Sequence, residues 1–176
     1  MLEPIQGEAG VIIPPPGYLQ RVSEICRQNN VLLIADEIQT GLGRTGKLFA
    51  CDHEGVRPDM MVVGKALSGG FYPVSAVLAD EPIMGLFKPG DHGSTFGGNP
   101  LAAAIARAAL KVITDENLVE NSQKMGEYFL DQLAEIPSRY VREVRGKGLL
   151  IGVELKPEAH GALSLIHISE PTRLLS

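Results

Sequence analysis

Residues 31–47, VLLIADEIQTGLGRTGK, decide how this chain of 176 residues is understood. The stretch begins with an apolar run that ends in Asp36 and Glu37, as the acidic strand of many ATPases does. It ends with GLGRTGK, which fits the Gly-x4-Gly-Lys core of a phosphate-binding loop. The choice lies between nucleotide binding and another use for a carboxylate at the end of an apolar strand.

The nucleotide interpretation fails on two points. Leu48 follows Lys47, where a phosphate-binding loop has a Ser or Thr whose hydroxyl binds Mg²⁺. The order of the motifs is also inverted, because in P-loop enzymes the phosphate-binding loop comes before the acidic strand. We therefore interpret residues 41–47 as a glycine-rich turn in which Arg44 and Lys47 are solvated.

An aspartate at the end of a buried strand is unfavourable unless it has a partner. A protonated pyridine nitrogen is one such partner, and pyridoxal phosphate (PLP) also needs a lysine for its Schiff base. Lys65 follows the apolar run MMVVG and precedes the small residues of ALSGG. A lysine there is expected to be desolvated, which favours its action as nucleophile and base. Taken alone, Asp36 also fits a helix cap and Lys65 an ordinary loop residue.

The composition makes several other classes of function poor candidates. The net charge is −5 and no basic stripe is present, so nucleic acid and anionic membranes are poor partners. An apolar content of 44% is enough for a core, and no apolar run approaches the roughly 20 residues of a membrane span. Cys26 and Cys51 match no zinc-site spacing, and no metal is expected.

Helical and strand patterns alternate along the chain. Leu19, Val22, Ile25 and Cys26 form a helical stripe after three prolines. The apolar run at 31–35 predicts a buried strand, further strands are predicted at 60–63 and 74–79, and further helices are predicted at 99–113 and 117–133. Short strands are predicted within 141–155. This pattern indicates an α/β fold with a mainly parallel sheet and a ligand at the carboxyl ends of its strands.

Four motifs occur in the order typical of one enzyme family: EPIQGEAG, LLIADEIQTGLGRTG, GKALSGG and HGSTFGGNP. With these motifs, residues 1–155 resemble class III, PLP-dependent aminotransferases of fold type I. The resemblance implies a partial large domain at 1–117 and the start of a small C-terminal α+β domain at 118–162. The segment 163–176 is expected to be a non-native tail, because LSLIHISEPTR resembles a translated sequencing adapter.

The resemblance also implies roles for individual residues around PLP. Asp36 matches the aspartate on the pyridinium nitrogen, and Gln39 matches the side chain that hydrogen-bonds the phenolic oxygen. Lys65 matches the Schiff-base lysine, which also shuttles the proton during catalysis. Thr95 matches a threonine that contacts the cofactor phosphate of the neighbouring subunit, so a homodimer is expected. Ser94 is expected to support that loop beside the phosphate.

Two glutamates near the N-terminus are implied in substrate binding. Glu8 resembles the glutamate that pairs with a gating arginine in family members acting on a terminal amine. That pairing lets the ω-amino substrate bind, and a change of partner admits the carboxylate of the acceptor, 2-oxoglutarate. Glu3 lies near the same site in the sequence and is expected to assist it, whereas His92 is expected to shape its loop.

The substrate is indicated by three stretches: EPIQGEAGV, GKALSGGFYPVSAVLAD and VRGKGLLIGVEL. They are most similar to family members that transfer the δ-amino group of L-ornithine to 2-oxoglutarate. Members acting on acetylornithine or 4-aminobutyrate share Asp36, Gln39, Lys65 and Thr95, so those amino donors remain alternatives. The expected location is the cytoplasm, or the mitochondrial matrix if a transit peptide lies upstream.

The family resemblance implies partners for the site that this chain does not contain. They are a turn on the phosphate, an aromatic residue on the cofactor ring, an arginine for the substrate carboxylate and the gating arginine. The 176-residue chain alone is therefore expected neither to hold PLP stably nor to transaminate. The alternative of another class is a non-catalytic fragment or a binding module.

Overall fold

A short three-stranded sheet carries the strand ends of interest. The computed structural model describes residues 1–159, with β1 at Ile34–Asp36, β2 at Met60–Val63 and β3 at Ala76–Ala79. β1 and β2 are parallel, whereas β3 runs antiparallel to β2. Leu2 adds a parallel bridge to Ala35 on the other side of β1. The sheet is thus mainly parallel, as predicted, with an antiparallel strand at one edge.

Helices and a C-terminal hairpin surround this sheet. The helices are α1 at Tyr18–Gln28, α2 at Glu81–Met84, α3 at Pro100–Asp115 and α4 at Leu118–Glu135. The hairpin pairs β4, Val141–Lys147, with β5, Leu150–Leu155, in antiparallel register. α3 begins where the sequence predicts, because the Asn99 side chain accepts a hydrogen bond of 2.9 Å from the N–H of Ala102.

Two details of the predicted elements are wrong. The strand expected at 31–35 begins only at Ile34, and Val31 and Leu32 are 55% and 51% exposed. The N–H of Val31 still bonds to the carbonyl of Cys26 at the end of α1, so the chain is leaving the helix there. Ile25, predicted on the buried stripe of α1, is 46% exposed.

Two apolar clusters hold the strand ends from different directions. The first joins α1 to β1 and includes Leu19, Leu33, Ala35, Cys51 and Val56. The second joins β2 and the residues after it to α3, and includes Leu42, Val63, Leu67 and Ile113. Consequently the end of β1 and the end of β2 each rest on their own packed support.

The glycine-rich turn of residues 41–47 is where the C-terminal part of the chain docks. The carbonyl of Arg44 accepts hydrogen bonds from the Ser122 hydroxyl (3.0 Å) and the Leu149 N–H (2.9 Å). A Cβ at Gly46 would lie 2.1 Å from the Oε1 atom of Gln123 in α4. The next helical turn begins at Ala50, so no phosphate-cradling helix starts at Gly46. Arg44 and Lys47 are exposed, as predicted.

Gly148 offers a test of this docking. A Cβ at Gly148 would lie 2.4 Å from the carbonyl carbon of Thr45, whereas a Cβ at Gly55 would have nothing within 4 Å. Both residues have a positive φ, 53° at Gly148 and 63° at Gly55, so Gly55 is the matched control. Gly55→Ala should cost about 1 kcal/mol of backbone strain. Gly148→Ala should carry the same strain and lose about a further 1–3 kcal/mol in the free energy of unfolding through overpacking, as measured by urea denaturation. Equal losses in the two variants would show that the contact is not tightly packed.

Candidate functional site

Asp36 and Lys65 lie at the same edge of the sheet. Asp36 is the last residue of β1 and pairs with Val62 of the parallel strand β2. Lys65 comes just after Gly64, where β2 has ended, and opens a 3₁₀ turn at Lys65–Ser68. The carboxyl ends of parallel strands meet at one edge of a sheet, so the fold brings these two residues to the same edge.

The side chains of β1 alternate between two faces of the sheet. Leu33, Ala35 and Glu37 are buried, whereas Ile34 and Asp36 are only partly buried. Asp36 therefore ends the strand on its less buried face. One oxygen of Asp36 accepts a hydrogen bond of 3.1 Å from the N–H of Ile38. That is the one hydrogen bond its carboxylate makes within residues 1–159, so its second oxygen can serve a ligand.

Glu37 is the buried carboxylate that sequence reasoning missed. It is 1% exposed and accepts hydrogen bonds from the N–H groups of Ala50 (3.0 Å) and Cys51 (2.8 Å). The hydroxyl of Thr40 donates to the same carboxylate. Burial, together with the charge of Glu37, raises the pKa of the Cys51 thiol far above its ordinary range. The alternation of Leu33, Ala35 and Glu37 was a usable signal, but the continuous apolar run obscured it.

Lys65 has an unusual backbone conformation. Its φ is +42°, in the left-handed region that non-glycine residues seldom adopt. The Ser68 hydroxyl donates to the carbonyl of Lys65 at 2.8 Å and accepts the N–H of Gly70 at 3.1 Å, which stabilises the turn. The side chain of Lys65 is exposed, so the expected desolvation is not provided by the described residues.

Two cavities meet at Lys65. The larger, of about 1010 Å³, is also lined by Gln39, by part of the glycine-rich turn and by one face of α3. The smaller, of about 450 Å³, is also lined by Ser68, Ser75 and residues 96–99. The amine of Lys65 can therefore be reached from both the Gln39 side and the loop that precedes α3.

The predicted substrate residues cluster around Gln39. The Nε2 atom of Gln39 donates to the Oε1 atom of Glu8 at 3.2 Å. Glu3 accepts the N–H of Gly7 at 2.8 Å and so supports the turn that carries Glu8. A Cβ on Gly7 would lie 2.4 Å from the Nε2 atom of Gln39, so this close approach requires glycine.

Thr95 stands apart from the other candidates. It lies exposed in the loop before α3, whose residues 96–98 line the smaller cavity together with Lys65. Ser94 accepts the N–H of Gly97 at 2.9 Å, and the His92 ring lies 6.0 Å from that of Phe87, so both shape the loop. The fold thus brings this loop beside Lys65 but presents Thr95 outward.

Within residues 1–159, none of the helices is long and apolar enough to cross a membrane. The same residues contain no group of three or more His, Cys, Asp or Glu side chains placed to hold a metal ion.

The match to a family description settles the class. Residues 1–171 match the family described as aminotransferase class-III. The chain belongs to the class III aminotransferase family. It is 61% identical over 162 residues to a rice protein named ornithine aminotransferase, mitochondrial, and this match covers 90% of the chain and 34% of the rice protein.

Solved structures give the fold type. An ornithine aminotransferase from Plasmodium yoelii is 56% identical with a TM-score of 0.87, over 93% of this chain and 44% of that one. An acetylornithine aminotransferase from Elizabethkingia anophelis is 54% identical with a TM-score of 0.88, over 93% of this chain and 42% of that one. The predicted α/β fold of type I is confirmed. This chain spans less than half the length of each of these proteins.

Glu37→Gln tests the buried carboxylate. Its new amide nitrogen cannot accept a hydrogen bond, so the Thr40 hydroxyl or a backbone N–H of the Ala50 turn loses its partner. We expect a loss of about 2–3 kcal/mol in the free energy of unfolding by urea denaturation. The matched control is Glu24→Gln, which removes an exposed ion pair with Arg21 and should change stability by less than about 1 kcal/mol. Similar losses in the two variants would contradict the role given to Glu37.

Proposed function

We propose that this chain is part of a PLP-dependent aminotransferase that transfers the δ-amino group of L-ornithine to 2-oxoglutarate. The products are glutamate 5-semialdehyde and glutamate. The observation that carries the proposal is the placement of Asp36 and Lys65 on neighbouring parallel strand ends, with Lys65 and Gln39 lining one cavity. The names of the rice and Plasmodium relatives support ornithine as the amino donor.

The residues at the sheet edge fit PLP chemically. Asp36 would keep the proton on the pyridine nitrogen through its available oxygen, and Gln39 would hydrogen-bond the phenolic oxygen. Lys65 would bind the aldehyde carbon, since its amine is open to both cavities. When bound, PLP supplies an electron sink that makes the proton on the nitrogen-bearing carbon of the substrate acidic.

Lys65 is proposed to act twice. Its Nζ atom would hold the cofactor at rest, and once the amino group of the substrate has taken its place the freed amine would hold the proton that leaves the nitrogen-bearing carbon of the substrate. The strained backbone of Lys65 costs about 1–3 kcal/mol and is maintained by the Ser68 bonds, as expected where geometry serves function.

Glu8 and the loop before α3 complete the proposal. Glu8 would pair with the gating arginine while ornithine is bound, and Gln39 holds its carboxylate in place. Thr95, with Ser94 supporting its loop, would contact the cofactor phosphate of a partner subunit in a homodimer. The outward position of Thr95 supports this arrangement. The proposed location is the cytoplasm, or the mitochondrial matrix, since the rice relative is named as mitochondrial.

Two other functions have specific support. Acetylornithine as donor is favoured by the similarity to the Elizabethkingia enzyme, and 4-aminobutyrate remains a further alternative. A non-catalytic role is proposed for the 176-residue chain taken alone, because it spans less than half the length of the enzymes it resembles and its described residues do not desolvate Lys65. The proposed domain limits stay at 1–117 and 118–162; residues 160–162 and the tail at 163–176 lie outside the described part of the chain.

Lys65→Ala tests the cofactor assignment in a full-length enzyme containing this segment. It should abolish the visible absorbance of bound PLP and lower turnover by about 10²- to 10⁴-fold or more, because it removes the nucleophile and the base together. Lys47→Ala, which removes an exposed lysine of the glycine-rich turn, should change neither. Retained absorbance in Lys65→Ala would refute the assignment. The 176-residue chain alone should show no such absorbance.

A panel of amino donors tests the substrate. The full-length enzyme is assayed with L-ornithine, N-acetylornithine and 4-aminobutyrate, each with 2-oxoglutarate as acceptor. We expect the highest kcat/KM with ornithine, by at least about tenfold, a difference of about 1.4 kcal/mol in transition-state stabilisation. Faster turnover of N-acetylornithine would overturn the ornithine assignment but leave the aminotransferase assignment intact.

A further inference from the structure

We propose that Arg145 is a positioning residue for Glu8. Its guanidinium, on β4, holds the Glu8 turn (residues 7–11) in the conformation that keeps Glu8 against Gln39, and so tunes the binding of the amino donor. The functional half of this inference rests on the proposed function, whereas the structural half stands on the contacts alone.

Arg145 makes its contacts to the far end of the Glu8 turn. Its Nε–H donates to the carbonyls of Val11 (3.0 Å) and Gly10 (3.2 Å), and its Nη2 atom donates to Gly10 at 2.7 Å. The side chain is 17% exposed and its bond to Val11 is partly buried, whereas Gly10 lies at the surface. A fork of N–H donors directed at two successive carbonyls fixes the path of the backbone there.

The Glu8 turn needs such support because its backbone is strained. Val11 has a φ of +56°, which a β-branched residue adopts only under constraint, and Gly10 has a φ of +111°. The N–H groups of both residues bond to the carbonyl of Gly7 at 3.1 Å. Gly152 of β5 packs against them, since a Cβ there would lie 3.1 Å from the Cβ of Val11.

Two carboxylates orient the guanidinium from the opposite side. The Nη1 atom of Arg145 bonds to Glu154 at 2.7 Å and to Glu143 at 2.9 Å. A planar group held by carboxylates at one edge directs its remaining donors the other way, toward the turn. A lysine could keep one ion pair here but could not make both sets of contacts.

The Glu8 turn is therefore held at both ends. Glu3 accepts the N–H of Gly7 at one end, and Arg145 donates to Gly10 and Val11 at the other. Glu8, between them, receives the hydrogen bond of Gln39. Loss of Arg145 removes the only side-chain contacts among residues 1–159 that bind the carbonyls of Gly10 and Val11, so the position of Glu8 should become less defined.

The test compares two arginines of the same strand in the full-length enzyme. Arg145→Met removes the contacts to the turn, and Arg145→Lys keeps the charge without the fork. The control, Arg142→Met, removes an exposed ion pair to Glu154 (2.8 Å). Hydrogen exchange of the Gly10 and Val11 amides is measured in all variants, together with KM and kcat for ornithine and KM for 2-oxoglutarate.

We expect both Arg145 variants to exchange these amides about tenfold faster, with the larger effect in Arg145→Met. KM for ornithine should rise about tenfold, while kcat and the KM for 2-oxoglutarate stay within about twofold. Arg142→Met should change none of these values. Unchanged exchange in the Arg145 variants, or equal effects in Arg142→Met, would refute the structural half.

Faster exchange with an unchanged KM for ornithine would refute the functional half. If the unsubstituted enzyme does not turn over ornithine, the proposed substrate fails separately. The exchange data still decide whether Arg145 holds the turn, and the kinetic comparison is then made with the donor that the enzyme prefers.

Discussion

The buried carboxylate of Glu37 is the contact on which the rest of the site depends. It ties the end of β1 to the backbone of Ala50 and Cys51, and so closes the loop that contains the glycine-rich turn. Because side chains alternate along a strand, the burial of Glu37 directs Asp36 to the opposite face. Two adjacent acids thus take different roles, one structural and one available to a ligand. A buried carboxylate with several donors is stable, whereas the same group without them would be strongly destabilising.

We attribute the glycines of the glycine-rich turn to close packing and not to phosphate binding. Gly43 and Gly46 let α4 approach the turn backbone closely, and Gly148 of the β4–β5 hairpin does the same from the hairpin side. The hairpin touches the rest of the chain a second time, where Arg145 meets the Glu8 turn. One contact is made to the turn that carries Glu8 and the other to the turn that follows Gln39 in the chain, so a displacement of the hairpin would reach the chain near both partners of the Gln39–Glu8 hydrogen bond.

Much of this arrangement was predictable from the sequence, and the exceptions have physical reasons. Apolar periodicity and the Asn99 cap located α1, β2 and α3, and the family motifs located Asp36, Gln39 and Lys65. The start of β1 could not be predicted, because the exposure of Val31 and Leu32 depends on how the end of α1 is capped. Glu37 was missed because the continuous apolar run obscured its alternation with Leu33 and Ala35, and Arg145 was missed because it reaches the distant backbone carbonyls of Gly10 and Val11. Contacts made by backbone atoms appear only once the chain is folded.

The conformation of Lys65 is hard to explain by stability alone. Its left-handed backbone costs energy, and its exposed side chain recovers none through burial in the described residues. A glycine would relieve that strain, yet the chain keeps a lysine between two cavities, opposite the end of β1. A strained residue that contributes no packing is best explained by the chemistry of its side chain. In the proposed function the amine would be presented to the cofactor, and the desolvation that it needs would come from that ligand and from the parts of the enzyme that surround it.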